Sequence, residues 1–208
     1  MIIGISGYAG VGKDSLSNYL VSNHNFVKIA FADKIKRILM DLYDLSYQQL
    51  WGESKNRGSY DLRYRVPNSD EYLTARLGSQ AFGDCGRNLY QDTWVDYTLK
   101  DVKRLHDSYF WDYEDCKGAF KNYLKFGKKN VVVSDCRYLN EMNRIRDMGG
   151  IIIRIKKTVV PLKGKTGKHS SEVNQIKILD NYFDEVILND GTLEDLYKKI
   201  NDFMAKKS

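Results

Sequence analysis

The chain has 208 residues, of which 29% are charged and 42% are apolar, as is ordinary for a folded soluble protein. Its net charge of +6 suits anionic partners, but basic and acidic residues interleave along the chain, which argues against a dedicated nucleic-acid binder. No apolar run approaches the ~20 residues that span a bilayer and the start does not resemble a secretion signal, so we expect one cytosolic domain over residues 1–208 with no membrane partner.

The N-terminal half predicts alternating strands and helices. Met1–Ser6 is apolar and β-prone, which predicts a buried strand, and apolar residues at helical spacing predict a helix over about residues 13–22. Val27–Ala32 predicts a second strand, and Asp33 suits the N-cap of the helix that follows it. The remaining predictions for this half are a short helix at Ser46–Gly52, a polar loop at Lys55–Asn68, and helices at Thr74–Tyr90 and Thr93–Leu105.

The C-terminal half continues the alternation. The β-branched run Asn130–Asp135 is typical of a central parallel strand covered on both faces, and Gly149 ends a predicted helix over Leu139–Met148. The other predictions are a helix at Tyr109–Phe126, strands at Ile151–Ile155 and Glu185–Leu188, a Lys- and Gly-rich loop at Lys156–Lys168, and a helix at Leu193–Met204. This pattern predicts an α/β fold in which helices cover both faces of a parallel sheet.

The stretch Gly7-Tyr8-Ala9-Gly10-Val11-Gly12-Lys13 has the spacing of a phosphate-binding loop. It lies between the first predicted strand and the first predicted helix, so backbone N–H groups and the helix N-terminus would surround an anion. Lys13 can then reach the β- and γ-phosphates of a nucleotide. The alternative is a Gly-rich turn without a ligand, and the position between strand and helix argues against it.

Asp14 stands where this pattern expects Ser or Thr, with Ser15 behind it. A carboxylate beside a triphosphate is repulsive unless Mg²⁺ lies between them, because hard cations bind carboxylate and phosphate oxygens together. Asp14 would therefore bind Mg²⁺ directly or through a water. Alternatively, Asp14 caps the helix, and Ser15 and other groups hold the metal.

A second acidic residue ends the predicted central strand. Asp135 lies where P-loop enzymes place a carboxylate near Mg²⁺, and Arg137 would point at the same cleft and bind a transferring phosphoryl oxygen. The alternative for Asp135 is an N-cap of the next helix. The basic loop, at about residues 156–172, would form a mobile lid over phosphates, or else a solvated loop.

Six stretches occur in this order: GYAGVGKDSLSNYL, KIAFADKIKRIL, TARLGSQAFGDCGRNLYQDTWVD, VVVSDCRYLNEMNRIRDMGGIIIRI, HSSEV and FDEVILNDGTLEDL. Together they resemble the phage-type deoxynucleoside monophosphate kinases, and Asp14 in the loop is similar to that family's variant. The resemblance covers most of the chain and is weakest over residues 55–72 and 109–129. It implies a three-layer P-loop fold of the nucleoside-triphosphate-hydrolase class, nucleoside-monophosphate-kinase-like and with a mobile lid.

The resemblance also implies transfer of a phosphoryl group from ATP to a deoxynucleoside 5′-monophosphate, with Mg²⁺ as the metal. Catalytic roles would belong to Lys13, Asp135 and Arg137, and metal binding to Asp14, Ser15 and Asp135. The ATP contacts would be Gly7, Gly10, Val11, Gly12, Lys13, Asp14 and Ser15, with Asn189 and Gly191 near the adenine. The acceptor contacts would be Asp33, Lys36, Arg76, Arg87, Trp94, Asp96, His169 and Glu172.

Several of these acceptor residues have structural alternatives. Arg76 and Arg87 are eleven residues apart, three helical turns, so both can face one side and hold the acceptor phosphate, but each could instead form a surface salt bridge. Trp94 could equally be a core residue.

Two rival functions stay open on the sequence. Another small-metabolite kinase, such as a dephospho-coenzyme A kinase or phosphomevalonate kinase, shares the P-loop core. A nucleotide-binding module without transfer chemistry would bind ATP and yield no product. The sequence also leaves open whether the chain forms a homodimer, and it would act in the host cytoplasm if a phage encodes it.

Overall fold

The computed structural model describes residues 1–107, 129–158 and 178–207. These residues divide into two compact units, one from Met1–Ala30 together with Leu99–Ser208, and the other from Phe31–Thr98. We call them unit 1 and unit 2. The predicted helix at Tyr109–Phe126 and the part of the predicted lid and basic loop after residue 158 lie outside the described residues. That the whole chain acts as one domain stays a prediction.

Strands and helices alternate along the chain much as the sequence predicts. The strands are β1 (Ile2–Ser6), β2 (Phe26–Ile29), β3 (Asp61–Arg65), β4 (Tyr72–Leu73), β5 (Asn130–Cys136), β6 (Ile151–Lys156) and β7 (Glu185–Leu188). The helices are α1 (Lys13–His24), α2 (Asp33–Tyr43), α3 (Tyr47–Trp51), α4 (Ser54–Arg57), α5 (Ala75–Leu89), α6 (Thr93–Asp107), α7 (Leu139–Asp147) and α8 (Leu193–Lys207), with a 3₁₀ turn at Asp180–Tyr182.

Unit 1 is built on a five-stranded sheet in the order β2-β5-β1-β6-β7, with every pairing parallel. The first strand lies at its centre, since Ile3 pairs with Val132 on one side and Ile151 on the other. β5 lies between β2 and β1, which confirms the central strand predicted from its β-branched run. The sheet therefore brings the carboxyl ends of all five strands to one edge.

Helices cover both faces of this sheet, as predicted. On one face Ile3 and Ile5 pack in a buried cluster with Leu16 of α1 and Ile200 of α8. Gly4 points to the other face, where a Cβ would lie 3.0 Å from the side chain of Ile145 on α7. Alternate residues of the central strand thus face different helical layers. Among the described residues, none of the helices has the length and apolar character needed to cross a bilayer.

The second strand and the second helix differ from their predicted bounds. β2 ends at Ile29, whose register partner is Val133, so Ala30–Ala32 have left the sheet. Asp33 is the first residue of α2, and Ala32 is the N-cap, so the predicted capping role of Asp33 is wrong. The Asp33 carboxylate is instead engaged by Trp51, whose indole N–H donates to it at 2.9 Å.

Unit 2 contains an antiparallel hairpin where the sequence predicts only a loop. The Lys55–Asn68 prediction is wrong, because α4 and β3 occupy most of this segment and β3 pairs with β4. The Arg63 guanidinium forms two hydrogen bonds to the buried carboxylate of Asp61, at 2.9 and 2.8 Å, and holds the pKa of that carboxyl well below its usual range. The Asp61–Arg63 ion pair stabilises β3, whose polar sequence lacks the apolar alternation by which strands are predicted.

The core of unit 2 joins α2, α3 and α5. Ile35 and Leu39 of α2 pack with Leu50 of α3 and Ala75 of α5. The predicted short helix at Ser46–Gly52 is confirmed as α3, which begins with a reciprocal pair of hydrogen bonds between Ser46 and Gln49. This core holds Trp51 at the end of α3, where its ring stacks on Tyr47 with 5.1 Å between centroids.

Candidate active site

The glycine-rich loop of residues 7–13 connects β1 to α1 at the carboxyl edge of the sheet. Gly7 has φ +146° and lies so close to the Ile155 carbonyl oxygen that a Cβ would collide with it. The Lys13 ammonium donates to the carbonyls of Gly7 and Tyr8, each at 2.7 Å. The loop therefore closes around its own lysine, and α1 begins directly behind it with Gly12 as N-cap.

Asp14 and Ser15 follow in the first turn of α1. The Asp14 side chain is 78% exposed, and its carboxylate lies 2.9 Å from the Lys28 ammonium on β2. The same ammonium donates to the Asn18 side chain at 3.2 Å. Gly12, and not Asp14, is the N-cap of α1, so the capping alternative for Asp14 is wrong. The sequence interpretation did not identify Lys28, because nothing in the pattern of β2 says which side chain faces α1.

Asp135 lies near the end of β5, beside β1, where Ser6 pairs with Cys136. The N-cap of α7 is Tyr138, so the capping alternative for Asp135 is also wrong. Glu141, in the first turn of α7, completes the helix start: its carboxylate accepts the backbone N–H of Arg137 at 2.6 Å and of Tyr138 at 3.0 Å. Glu141 thereby fixes the backbone of the predicted phosphoryl-binding residue Arg137 at the start of α7.

Burial dominates the electrostatics around Glu141. Removal from water raises the pKa of its carboxyl to about 8, an effect opposed by the hydrogen bond from Arg137 and reinforced by the charge of Asp135. Burial, together with the charges of Glu141 and Asp135, also raises the pKa of the Cys136 thiol well above its usual range. The sequence interpretation missed Glu141, although a Glu three residues after a helix N-cap is a recognisable start signal.

Asn189 follows β7 and reaches the glycine-rich loop. Its side-chain amide is buried and donates to the Val11 carbonyl at 2.8 Å. Gly191, two residues further on, is exposed, and a Cβ there would meet the Asp195 side chain. The structure thus brings Asn189 to the loop that the sequence interpretation assigns to phosphate, and contact of Asn189 or Gly191 with adenine stays a prediction.

In unit 2, Asp33 and Lys36 of α2 both engage Trp51. The indole N–H binds the Asp33 carboxylate, and the Lys36 ammonium lies 5.3 Å from the centroid of the indole ring. Sequence reasoning placed both charged residues on the acceptor side but did not identify Trp51. The capping signal at Ser46 and Gln49 predicts the helix that carries Trp51, but no signal indicates what its ring contacts.

Arg76 and Arg87 both lie on α5, as predicted. The Arg76 guanidinium donates to the hydroxyl of Ser54 at 2.7 Å, and the Arg87 guanidinium lies 2.7 Å from the Asp84 carboxylate. Arg87 therefore forms the salt bridge that was its structural alternative. Its role as a phosphate ligand stays a prediction, as does that of Arg76.

Trp94 and Asp96 lie at the start of α6. The Trp94 ring packs on Gly86 of α5, where a Cβ would lie 2.5 Å from it, and its indole N–H donates to the Gly83 carbonyl at 3.0 Å. The Asp96 carboxylate accepts from the Tyr90 hydroxyl at 3.3 Å. Trp94 thus joins two helices, as its core alternative expects. His169 and Glu172 lie outside the described residues.

Comparison with known proteins identifies the family to which this chain belongs. The family model described as deoxynucleotide monophosphate kinase matches residues 91–200, which is more than half of the chain. The chain belongs to the deoxynucleotide monophosphate kinase family. The match includes Asp135, Arg137 and Asn189, and it confirms the resemblance drawn from the six sequence stretches.

Two relatives extend the family likeness over nearly the whole chain. A protein of Acanthamoeba polyphaga mimivirus, provisionally named as a deoxynucleotide monophosphate kinase, is 28% identical over 210 residues, covering 96% of this chain and 94% of its own. The deoxynucleotide monophosphate kinase of Escherichia phage RB69 is 26% identical over 250 residues, covering 96% of this chain and 97% of its own.

A solved structure supports the fold independently. Dephospho-CoA kinase from Campylobacter jejuni matches with a TM-score of 0.51 over 100% of this chain and 96% of its own, at 16% sequence identity. At that identity the likeness shows the P-loop kinase fold alone. The α/β fold predicted from the sequence is confirmed. The family match favours a deoxynucleotide monophosphate kinase over the other small-metabolite kinases that the sequence left open.

Proposed function

We propose that this member of the family transfers the γ-phosphoryl group of ATP to deoxynucleoside 5′-monophosphates, forming the diphosphates. The single observation that carries the proposal is the loop of residues 7–13, whose lysine folds onto the carbonyls of Gly7 and Tyr8 directly before the α1 N-terminus. Backbone N–H groups and a helix N-terminus favour an anion, and the lysine adds a full positive charge beside it.

On the donor side, the Gly7–Lys13 loop would hold the β- and γ-phosphates of ATP. Lys13 would leave its two carbonyl partners and bind phosphate oxygens, which are stronger acceptors because they are charged. Arg137 would bind oxygens of the transferring group. Its backbone is fixed through Glu141, so less conformational freedom is lost when its side chain binds.

The residues near the loop suit a magnesium ion. Asp14, Ser15 and Asp135 offer two carboxylates and a hydroxyl, and Mg²⁺ prefers such hard oxygens in small number, completed by water and nucleotide phosphates. When bound, the ion would neutralise charge on the phosphates. Asp135 is half-buried at the strand end and Asp14 is exposed, so both carboxylates can exchange partners when a nucleotide arrives.

On the acceptor side, Arg76 and Arg87 would bind the monophosphate, since a guanidinium donates two parallel hydrogen bonds to phosphate oxygens. Arg87 would exchange Asp84 for the phosphate, an exchange that costs little because the ion pair is partly exposed to solvent. Asp33, Lys36, Trp94 and Asp96 would contribute to the sugar and base pocket, with His169 and Glu172 at the edge of a closing lid. The acceptor oxygen is already ionised, so the transfer needs no general base.

The setting of the reaction is part of the proposal. The protein would act in the cytoplasm, which is the host's if a phage encodes it. Self-association of the chain as a homodimer is part of the same proposal. Sedimentation velocity over a range of protein concentrations measures this directly, and a mass of one chain at all concentrations rules the dimer out.

The experiment that tests the function is incubation of the chain with Mg²⁺-ATP and each deoxynucleoside monophosphate separately. The products are scored as diphosphates by chromatography, so that ATP hydrolysis is not mistaken for transfer. We expect diphosphate with at least one deoxynucleotide and none with dephospho-coenzyme A or phosphomevalonate. ATP binding without product from any monophosphate would overturn the proposal and favour a binding module.

A further inference from the structure

We infer that Asn189 is a positioning residue for the phosphate loop: its side-chain amide fixes the Val11–Gly12 peptide in the orientation that receives a triphosphate. The inference rests on the proposed function, because it concerns the donor side of the same site. It assigns to Asn189 a role toward the loop itself, separate from any contact with the adenine.

Asn189 is anchored at both its backbone and its side chain. It is 8% exposed, and its backbone N–H donates to the Lys156 carbonyl at the end of β6, at 2.8 Å. Its side-chain amide donates to the Val11 carbonyl, also at 2.8 Å. A residue at the carboxyl edge of the sheet, 178 positions away in sequence, thus holds the middle of the loop.

The peptide that Asn189 holds carries one of the loop's N–H donors. A trans peptide is planar, with its C=O and N–H pointing in opposite directions. Since the Val11 carbonyl points at the Asn189 amide, the Gly12 N–H of the same peptide must point away from it. Fixing the carbonyl therefore aims the N–H, and a loop aimed in advance binds phosphate without first becoming ordered.

Gly12 makes this contact sterically possible. A Cβ at Gly12 would lie 2.6 Å from the Asn189 amide nitrogen, and the residue has φ +106°, a conformation that favours glycine. The Gly12 carbonyl accepts the Leu16 N–H at 3.0 Å, so the same residue begins α1. The missing side chain leaves the space that the amide occupies, so a larger residue at this position would displace the Asn189 amide.

A purely structural reading treats Asn189 as a buried amide that only joins β7 to the loop. That reading predicts loss of stability alone, whereas positioning predicts a selective loss of ATP affinity. The test compares Asn189→Ala and Asn189→Asp with the unchanged chain. It measures ATP binding by calorimetry, the KM for ATP and for the acceptor, and Tm.

Asn130→Ala is the matched control. Asn130 is a half-buried asparagine at the opposite edge of the sheet, where its side-chain oxygen accepts from the Met1 amino group at 2.8 Å. We expect it to lower Tm and leave the KM for ATP unchanged. Asn189→Ala should raise both the Kd and the KM for ATP about tenfold while the KM for the acceptor stays the same, as loss of about one buried hydrogen bond implies.

Asn189→Asp keeps the side-chain shape but places a carboxylate against the Val11 carbonyl, so it should weaken ATP binding further. If the alanine variant does not fold, the aspartate variant provides the same comparison of ATP binding. The inference is overturned if the Asn189 variants bind ATP within twofold of the unchanged chain, or if Asn130→Ala weakens ATP binding equally. If the unchanged chain binds ATP but makes no diphosphate, the proposed function fails while the binding comparison still decides the role of Asn189.

Discussion

The Lys28 ammonium on β2 lies 2.9 Å from the Asp14 carboxylate on α1. Asp14 occupies the position where phosphate loops otherwise carry the hydroxyl of a metal-binding Ser or Thr. The ion pair sets a positive charge against the carboxylate, so the loop does not present an uncompensated negative charge to a triphosphate. This pairing makes the unusual residue compatible with nucleotide binding.

Asp14→Ser should retain turnover within about tenfold, because a hydroxyl at this position is the common hard-oxygen ligand for Mg²⁺. Asp14→Ala supplies no oxygen, so its half-saturating Mg²⁺ concentration should rise well above that of the serine variant. Magnesium titrations at fixed ATP measure both. Equal magnesium requirements for the two variants would show that Asp14 takes no part in metal binding.

Lys28→Met is the companion variant to Asp14→Ser. The Asp14 side of the pair is 78% exposed, so breaking the pair should cost at most about 1 kcal/mol of unfolding free energy and move Tm by no more than about 4 °C. A larger drop in Tm would mean that the pair is structural.

Lys13→Ala should lower kcat by about a hundred- to a thousandfold, because a positive charge aimed at the transferring phosphates is lost. The folded state should persist, since Lys13 is only part-buried and its ammonium donates to loop carbonyls, those of Gly7 and Tyr8, and does not pack in the core. Steady-state kinetics and circular dichroism check the two statements together. A folded variant with near-normal turnover would contradict the loop assignment.

Arg87→Lys should raise the KM for the acceptor about tenfold and leave the KM for ATP unchanged, because lysine keeps the charge but loses the two-pronged donor of arginine. The control is Asp84→Asn, which removes the competing carboxylate at 2.7 Å. We expect that variant to bind the acceptor at least as tightly as the unchanged chain does. If Asp84→Asn weakens acceptor binding as much as Arg87→Lys does, the salt bridge itself is the required feature.

Trp51→Phe removes the indole N–H that holds the Asp33 carboxylate but keeps an aromatic ring against Tyr47. If Asp33 contributes to the acceptor pocket, loss of this hydrogen bond should raise the KM for the acceptor about fivefold and leave the KM for ATP unchanged. Tyr47→Leu, which disturbs the same stack but leaves the indole N–H in place, is the control. If Tyr47→Leu raises the KM for the acceptor and Trp51→Phe does not, the ring stacking matters and the hydrogen bond to Asp33 does not. That result would argue against Asp33 as an acceptor-site residue.

Glu141→Gln should flatten the pH dependence of stability. The carboxyl pKa is raised from 4.5 to about 8 in the folded chain, so between these values the folded state holds a proton that the unfolded state has released. Raising the pH through this window therefore lowers the free energy of unfolding of the unchanged chain, and the effect is complete above about pH 8. Thermal melts from pH 5 to 8 should show Tm falling more steeply in the unchanged chain than in the glutamine variant.

Glu194→Gln, which removes an exposed carboxylate from the first turn of α8, controls for the loss of one negative charge. Its melts should keep the pH slope of the unchanged chain. Identical slopes in all three proteins would mean that Glu141 is ionised in the folded state across the whole range.

Most of the sheet could be predicted because its strands are buried and short. The apolar runs at Met1–Ser6 and Asn130–Asp135 are typical of parallel strands that are buried on both faces. The β3–β4 hairpin was missed for the opposite reason, since Asp61 and Arg63 stabilise it through an ion pair and give no apolar alternation. Apolar patterns in a sequence therefore predict which segments are buried, but they do not predict which polar side chains pair with each other.

The same limit applies to the site. Glycine spacing identified the loop because backbone geometry there excludes other residues. Lys28, Trp51 and Glu141 act through contacts with residues whose proximity the fold alone creates, and helix periodicity does not indicate such partners. Asp33 and Asp135 are residue types that favour helix N-caps, but the helices begin at other positions. Ala32 is the N-cap of α2, and Tyr138 is the N-cap of α7.

The central strand has a consequence for how the chain is made. β1 is synthesised before both of its neighbours in the sheet, β5 and β6, which come from residues 130–156. Until those residues are made, β1 lacks the strands that it pairs with in the folded sheet. Such distant pairings are slow to form, and an apolar strand kept waiting is prone to aggregation. A nascent chain halted before Asn130 therefore exposes Ile2, Ile3 and Ile5, and a ribosome-associated chaperone should bind it there.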